Sequence, residues 1–455
     1  MIEREIRCAS ALTPGGWISP ARIRIDQDGL ISAVSQLRGA GMTGNLAGPV
    51  LPGMPNLHSH AFQRQMAGLT EDGAGQADNF WTWREAMYRQ AQHVTPMQLQ
   101  SLAGWLQAEM LEAGFTSCAE FHYLHHQPGG KPYDNLVEMS ASLLNACARS
   151  GISMTLLPVL YCRSGFSSGT VSERQRRFFN TPDRYLELLA ACHSLIAPNA
   201  LHRLGIAPHS LRAVAAGQMR EVLSAAESKG LPVHIHIAEQ AAEVEQCLEE
   251  LGARPLDWLL QNFPVDARWC LVHATHLDSA ELEQAAASGA VAGLCPTTEA
   301  DLGDGFFDAA AWMAAGGQFG VGSDSNLRVS ACEELRLLEF GCRLRAQKRN
   351  ILADEGKSCG RSLYERAAAG GAMALGQNIG RIAPGCRADL VELDLNHPLL
   401  GSRSGDAIVD TWLFAGGNAM VRTVWVGGVR CVAGGRHVRR DELLESFRRT
   451  MKELS

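Results

Sequence analysis

Between residues 50 and 322, short apolar runs alternate with longer segments of helical spacing, and this alternation constrains the fold more than any other feature. The runs are Val50–Leu57, Thr116–Phe121, Ile152–Leu160, Arg203–Ala207, Pro232–Ile237, Trp269–His273, Val291–Cys295 and Phe319–Gly322. Between most of them lie helical patterns such as Leu99–Glu112, Asn135–Arg149 and Ala280–Ala287. A strand followed by a helix returns the chain to the same end of the sheet, so successive strands pair in parallel. Eight such runs predict an α/β fold of the (β/α)8 TIM-barrel type.

The two ends of the chain read differently. Arg22-Ile-Arg-Ile25 and Leu30-Ile-Ser-Ala-Val34 alternate in polarity around Asp28-Gly29, a hairpin signal. A similar β-rich composition returns in Ala388–Asp394 and Val421–Val432. Neither end can bury much alone. The economical arrangement is one small β-domain of sandwich type built from residues 1–49 and 378–455, with the barrel over residues 50–377. Asp441–Leu454 reads as an amphipathic surface helix. Trp81-Thr-Trp-Arg84 and Ser164–Arg177 are read as insertions between barrel elements.

Composition narrows the partners. A net charge of −7 argues against binding nucleic acid or an anionic membrane through a general basic field. The 13 cysteines are scattered, with no Cys-x-x-Cys pair, and read as reduced, buried thiols of a cytoplasmic protein. The start, Met1-Ile-Glu-Arg-Glu-Ile-Arg7, lacks the apolar core of an export signal, and no apolar run approaches a membrane span.

In a barrel, chemistry gathers where strands end. The first run ends in His58-Ser-His60, whose alternate side chains share one face and can meet on one ion. The fifth ends Val233-His-Ile-His236-Ile-Ala-Glu239, the sixth in His273 and the eighth in Ser323-Asp324. His58, His60, His236 and Asp324 make three imidazoles and a carboxylate, a donor set suited to an open catalytic zinc site. His236 is preferred to His234 because it lies nearer the strand's end and three residues before Glu239. His234 is read as a packed or supporting histidine.

This set resembles the amidohydrolase superfamily over nearly the whole chain: His-x-His, His-x-x-Glu, His and Asp after the first, fifth, sixth and eighth strands. Gly380-Arg-Ile-Ala-Pro-Gly-Cys-Arg-Ala-Asp-Leu-Val391 resembles that superfamily's return into its small β-domain. Two-metal members carry a bridging lysine after the fourth strand. Neither Ile152–Leu160 nor Arg203–His209 contains one, which points to a single divalent ion, with Zn2+ expected. The His-x-x-Glu pair is similar to the aminohydrolase branch, which replaces an amino or imino group by oxygen. Within it, Asn56–Thr70, Phe121-His-Tyr123 and Ala207-Pro-His-Ser-Leu-Arg212 resemble the deiminase family that acts on N-formimidoyl-L-glutamate in histidine degradation. The resemblance implies a homodimer and a small dicarboxylate substrate. Gln63, Tyr123, His209 and Arg212 would hold it, with Arg84 supplied by the same or a neighbouring subunit.

The chemistry assigns Asp324 to accept a proton from water, His273 to steady developing negative charge, and Glu239 to shuttle a proton to the departing nitrogen. Two rivals remain at this level. A deaminase of guanine or an adenosine derivative would share the metal chemistry. A catalytically dead barrel acting as a scaffold would be expected to have lost ligands, and this chain keeps them all.

Overall fold

The computed structural model describes residues 4–38, 47–71, 79–167, 169–227 and 229–454. Its centre is a parallel barrel of eight strands: β1 (Met54–Ser59), β2 (Phe115–His122), β3 (Ser153–Leu160), β4 (His202–Leu204, resumed at Ala207–Pro208), β5 (Val233–Ile237), β6 (Trp269–His273), β7 (Val291–Leu294) and β8 (Gln318–Val321). Hydrogen bonding follows the order 4-3-2-1-8-7-6-5. The cylinder closes where Ile206 and Ser210 bridge Val233 and His236. These strands are buried almost throughout, as expected of a parallel sheet covered by helices.

Two expected strands differ from the structure. Val50–Leu57 is not one strand. Ala47–Pro52 pairs with Arg4–Thr13 and Leu390–Leu393 in the terminal sheet, and β1 begins only after Gly53. A Cβ on Gly53 would come within 2.2 Å of Thr116 Oγ1, so the junction requires glycine. An unbroken apolar run carries no sign that its two halves belong to different sheets. Arg203–Ala207 likewise divides into two short pieces.

The small β-domain is assembled from both termini. Its sheet runs Arg436–His437, Val429–Ala433, Val421–Val426, Leu390–Leu393, Ala47–Pro52, Arg4–Thr13, Ala21–Ile25 and Ile31–Gln36. The hairpin at Asp28-Gly29 is present, with Gly29 at φ +78°. Alternation divides the side chains: Ile23, Ile25, Val50 and Leu390 form a separate small core, while Leu12, Leu51 and Val391 join the main one. Helix Arg440–Leu454 packs Leu443 and Phe447 on Trp105. All thirteen cysteines are buried and unpaired. Among the described residues no helix is long and apolar enough to cross a membrane.

Candidate active site

β1, β5 and β8 converge at one mouth of the barrel. His58 and His60 present their Nε2 atoms 3.1 Å apart, and His236 Nε2 lies 3.0 Å from that of His58. Asp324 Oδ1 is 3.4 Å from His58 Nε2 and 3.2 Å from His60 Nε2. All four side chains are buried. His60 donates its Nδ1–H to the Phe121 carbonyl at 2.9 Å, which turns an Nε2 lone pair inwards. Burial holds His58 down at about 3 and His236 well below the usual imidazole range, so both stay neutral. Burial alone would raise Asp324, but hydrogen bonding to His58 and His60 outweighs it and holds the carboxyl well below its usual value. Neutral imidazoles crowded on a carboxylate repel one another unless a cation lies between them. The donor set therefore fits a divalent metal ion.

The backbone is locked around this cluster. The amide of His60 donates to the Asp324 carbonyl and that of Asp324 to the His58 carbonyl, both at 3.0 Å. Asn56, Ser323 and Asn326 cross-link the same two strand ends beneath, at 2.6–2.7 Å between side chains. A Cβ on Gly322 would come within 2.7 Å of the His58 amide, so only glycine permits this approach. His273 and Asp324 both sit at positive φ (+67° and +43°), a strained conformation that persists where surrounding contacts enforce it.

His234 shares a face of β5 with His236 but serves elsewhere. Its Nε2–H is donated to the Ala374 carbonyl at 2.8 Å, and the ligating group excludes it. On the other side of the cluster, His273 Nε2 lies 3.7 Å from Glu239 Oε1 and 3.8 Å from Asp324 Oδ2. Its Nδ1–H is donated to Glu299 at 3.3 Å. Burial disfavours its charge, yet Glu239, Glu299 and Asp324 together hold it well above the usual histidine value. Burial pushes Glu239 up to about 7.

The cavity above the cluster contains every substrate-binding residue expected from sequence. Gln63, Arg84, Tyr123, His209 and Arg212 all line it, together with Tyr88 and Tyr161. Gln63 donates its amide to the Tyr123 hydroxyl at 2.8 Å and keeps a buried Oε1 without a partner. Arg84 comes from helix α1 (Phe80–Ala91), in the expected insertion, and lines the cavity of its own chain. Its guanidinium stands 4.4 Å from the Trp81 ring centre, and that of Arg212 stands 5.6 Å from the same ring. Burial disfavours the charge on Arg212, but Glu243, Tyr161, Tyr88 and Glu239 more than compensate. Burial and then the Arg212 charge hold His209 well below its usual value, so it is neutral. A larger open groove beside Val244, Leu248, Leu282 and Phe306 carries none of the clustered imidazoles.

Residues 50–431 match the amidohydrolase family model, more than half of the chain. The chain belongs to the amidohydrolase family. This amidohydrolase is 51% identical over 445 residues to a formimidoylglutamate deiminase of Pseudomonas aeruginosa, covering 98% of each chain. It is 27% identical to a 5-methylthioadenosine/S-adenosylhomocysteine deaminase of Nitratidesulfovibrio vulgaris, over 93% of this chain and 90% of that one. The crystal structure of an amidohydrolase from Brucella melitensis superposes with a TM-score of 0.94 at 45% identity, covering 99% of both chains.

Several residues around the amidohydrolase's cluster escaped the sequence reading. Glu120 accepts the Ala61 amide at 2.7 Å, Glu299 holds His273, and Glu243 accepts the Glu239 amide at 3.3 Å. Listing polar residues beyond the seventh strand would have found Glu299. Glu120 lies inside an apolar strand, and Glu243 on a helix with several other acidic residues; neither had a signal.

Proposed function

We propose that the chain hydrolyses N-formimidoyl-L-glutamate to N-formyl-L-glutamate and ammonia, as a homodimeric, cytoplasmic zinc enzyme of histidine degradation. The observation that carries this reading is the pairing, in one cavity, of the four-ligand cluster with two guanidiniums on Trp81. A dicarboxylate needs fixed cations, and guanidinium binds carboxylate bidentately. The full-length likeness to a formimidoylglutamate deiminase supports the same substrate.

His58, His60, His236 and Asp324 hold the metal in this reading. Zinc held by these residues would lower the pKa of water from about 15.7 towards 7 and so would supply a nucleophile at neutral pH. Asp324 accepts the first proton of the attacking water. His273, held by Glu299, donates to the oxygen as negative charge develops on it. A C–O bond forms at the formimidoyl carbon, its C–N bond to the imino nitrogen breaks, and both water protons finish on the ammonia. Glu239, beside His273, carries a proton to that nitrogen. Arg212 and Arg84 fix the carboxylates, and Gln63, Tyr123 and His209 complete the polar lining.

Ammonia release from N-formimidoyl-L-glutamate, guanine, adenosine and 5′-methylthioadenosine tests the reading. The expected result is a kcat/KM for the first that exceeds the others by roughly a hundredfold or more, because a purine leaves the buried Arg212 and the half-buried Arg84 without carboxylate partners. Preference for a purine would replace this reading with the heterocycle deaminase. The ligand assignment has its own check. After dialysis, His234→Asn is expected to retain its metal and His236→Asn to lose it, and the reverse would exchange the roles of the two histidines.

A further inference from the structure

Next to the four-ligand cluster lies a second convergence of donor atoms. Glu239 Oε1 and His273 Nε2 are 3.7 Å apart, and a carboxylate oxygen of Asp304 lies within 4.8 Å of both donors. A tetrahedral zinc ion spaces its nitrogen and oxygen ligands by about 3.4 Å, so small side-chain rotations suffice to close the group. Asp304 follows the short helix Pro296–Leu302, beyond β7. It is anchored from two sides: His276 donates to its carbonyl at 2.7 Å, and the Gln240 amide donates to Oδ1. Its other oxygen, Oδ2, is buried with no hydrogen-bond partner, and the residue is only 3% exposed. A buried carboxylate oxygen left without a donor costs free energy unless something positive meets it. His273 is oriented for the purpose: Glu299 takes its Nδ1–H, and its Nε2 faces Glu239, so that loss of the Nε2 proton to solvent on cation binding frees that nitrogen as a ligand.

We propose that Glu239, His273 and Asp304 form a second, weaker site for a zinc-type divalent cation, filled after the first, and that its occupation stops turnover by engaging Glu239 and His273. One imidazole with two carboxylates suits zinc and its neighbours better than magnesium, which demands an octahedral oxygen shell. The site is weaker than the first because it has one imidazole instead of three and adjoins a dication already bound. Burial and the neighbouring Glu239 push Asp304 up to about 9. A dication relieves the same repulsion that protons otherwise relieve. Binding at this site is independent of the proposed substrate; only the inhibition rests on that reading.

Equilibrium dialysis of the one-zinc holoenzyme against rising ZnCl2, alongside ammonia release from N-formimidoyl-L-glutamate, decides the matter. Wild type is expected to bind a second equivalent and to lose activity in step, with MgCl2 doing neither. Asp304→Asn and Glu239→Gln are each expected to weaken the second equivalent by about tenfold or more while keeping the first. In Asp304→Asn, the ZnCl2 giving half-inhibition, measured against that variant's own uninhibited rate, rises in parallel. Glu239→Gln is nearly isosteric and provides the binding result should Asp304→Asn not fold. A stoichiometry that stays at one up to millimolar zinc overturns the site, as does a second equivalent held equally tightly by both variants. A second equivalent that leaves turnover untouched overturns the inhibitory role. Absence of ammonia release at every zinc level strikes the substrate assignment, and the dialysis still decides the site.

Discussion

Glu239→Gln is expected to keep its fold and its metal and to lose turnover by roughly a hundredfold or more, the scale of a lost acid–base group. The carboxylate is three residues beyond His236, and the intervening Ala238, at φ +50°, turns the chain so that Glu239 faces His273 and stands outside the four-residue donor group. Glu243 fixes the turn by accepting the Glu239 amide. Burial raises the Glu239 carboxyl to about 7, where it can both take and give a proton at neutral pH. The amide matches the shape but carries no transferable proton. Metal content and circular dichroism should be those of wild type, and the loss should appear in kcat more than in KM. Near-normal turnover would remove Glu239 from the reaction. Lost metal would mean that the residue supports the ligands instead.

The barrel was legible because parallel strands leave a strong record. Trp269–His273 is found with the bounds expected, and the fifth, seventh and eighth strands differ by one residue at their ends. The cluster was legible for a related reason: a barrel carries the C-terminal ends of all its strands to one face, so chemically matched residues at four such ends must meet. Other parts depend on closure in three dimensions. Nothing in Val50–Leu57 marks the passage between sheets except Gly53, whose role becomes clear only against Thr116. The positive φ of His273 and Asp324 was not legible: Asp and His adopt it more often than most residues, yet most of them do not, so residue type alone marks neither position. Asp304 and Glu243 lie beyond the strand ends, on a loop and a helix. Their sequence neighbourhoods, Asp301-Leu-Gly-Asp304 and Glu243-Val-Glu-Gln, read as ordinary solvated acidic surface, and burial reverses that reading.

Arg212→Met is expected to lower kcat/KM by more than tenfold, because removing one partner of a buried charged pair typically costs about 2–5 kcal/mol. Arg212 lies just past β4, 7% exposed, with its guanidinium toward Trp81 and its charge sustained by Glu243 and Glu239. Those carboxylates act on the cation through their charge. Methionine preserves the apolar stem and its packing while removing charge and donors. A flexible dianion must be held so that its formimidoyl carbon stands over the nucleophile, and the anchor therefore acts on geometry as well as affinity. A loss confined to KM would mean uniform binding. A loss in kcat as well would mean that Arg212 also positions the reacting carbon. The decisive comparison uses a substrate with one carboxylate converted to its amide. Wild type should strongly prefer the acid, because a neutral amide cannot satisfy the guanidinium, and Arg212→Met should narrow that preference. If the variant discriminates acid from amide as strongly as wild type does, Arg212 does not read that carboxylate. Arg84, whose buried Nε has no partner, then becomes the cation that reads it.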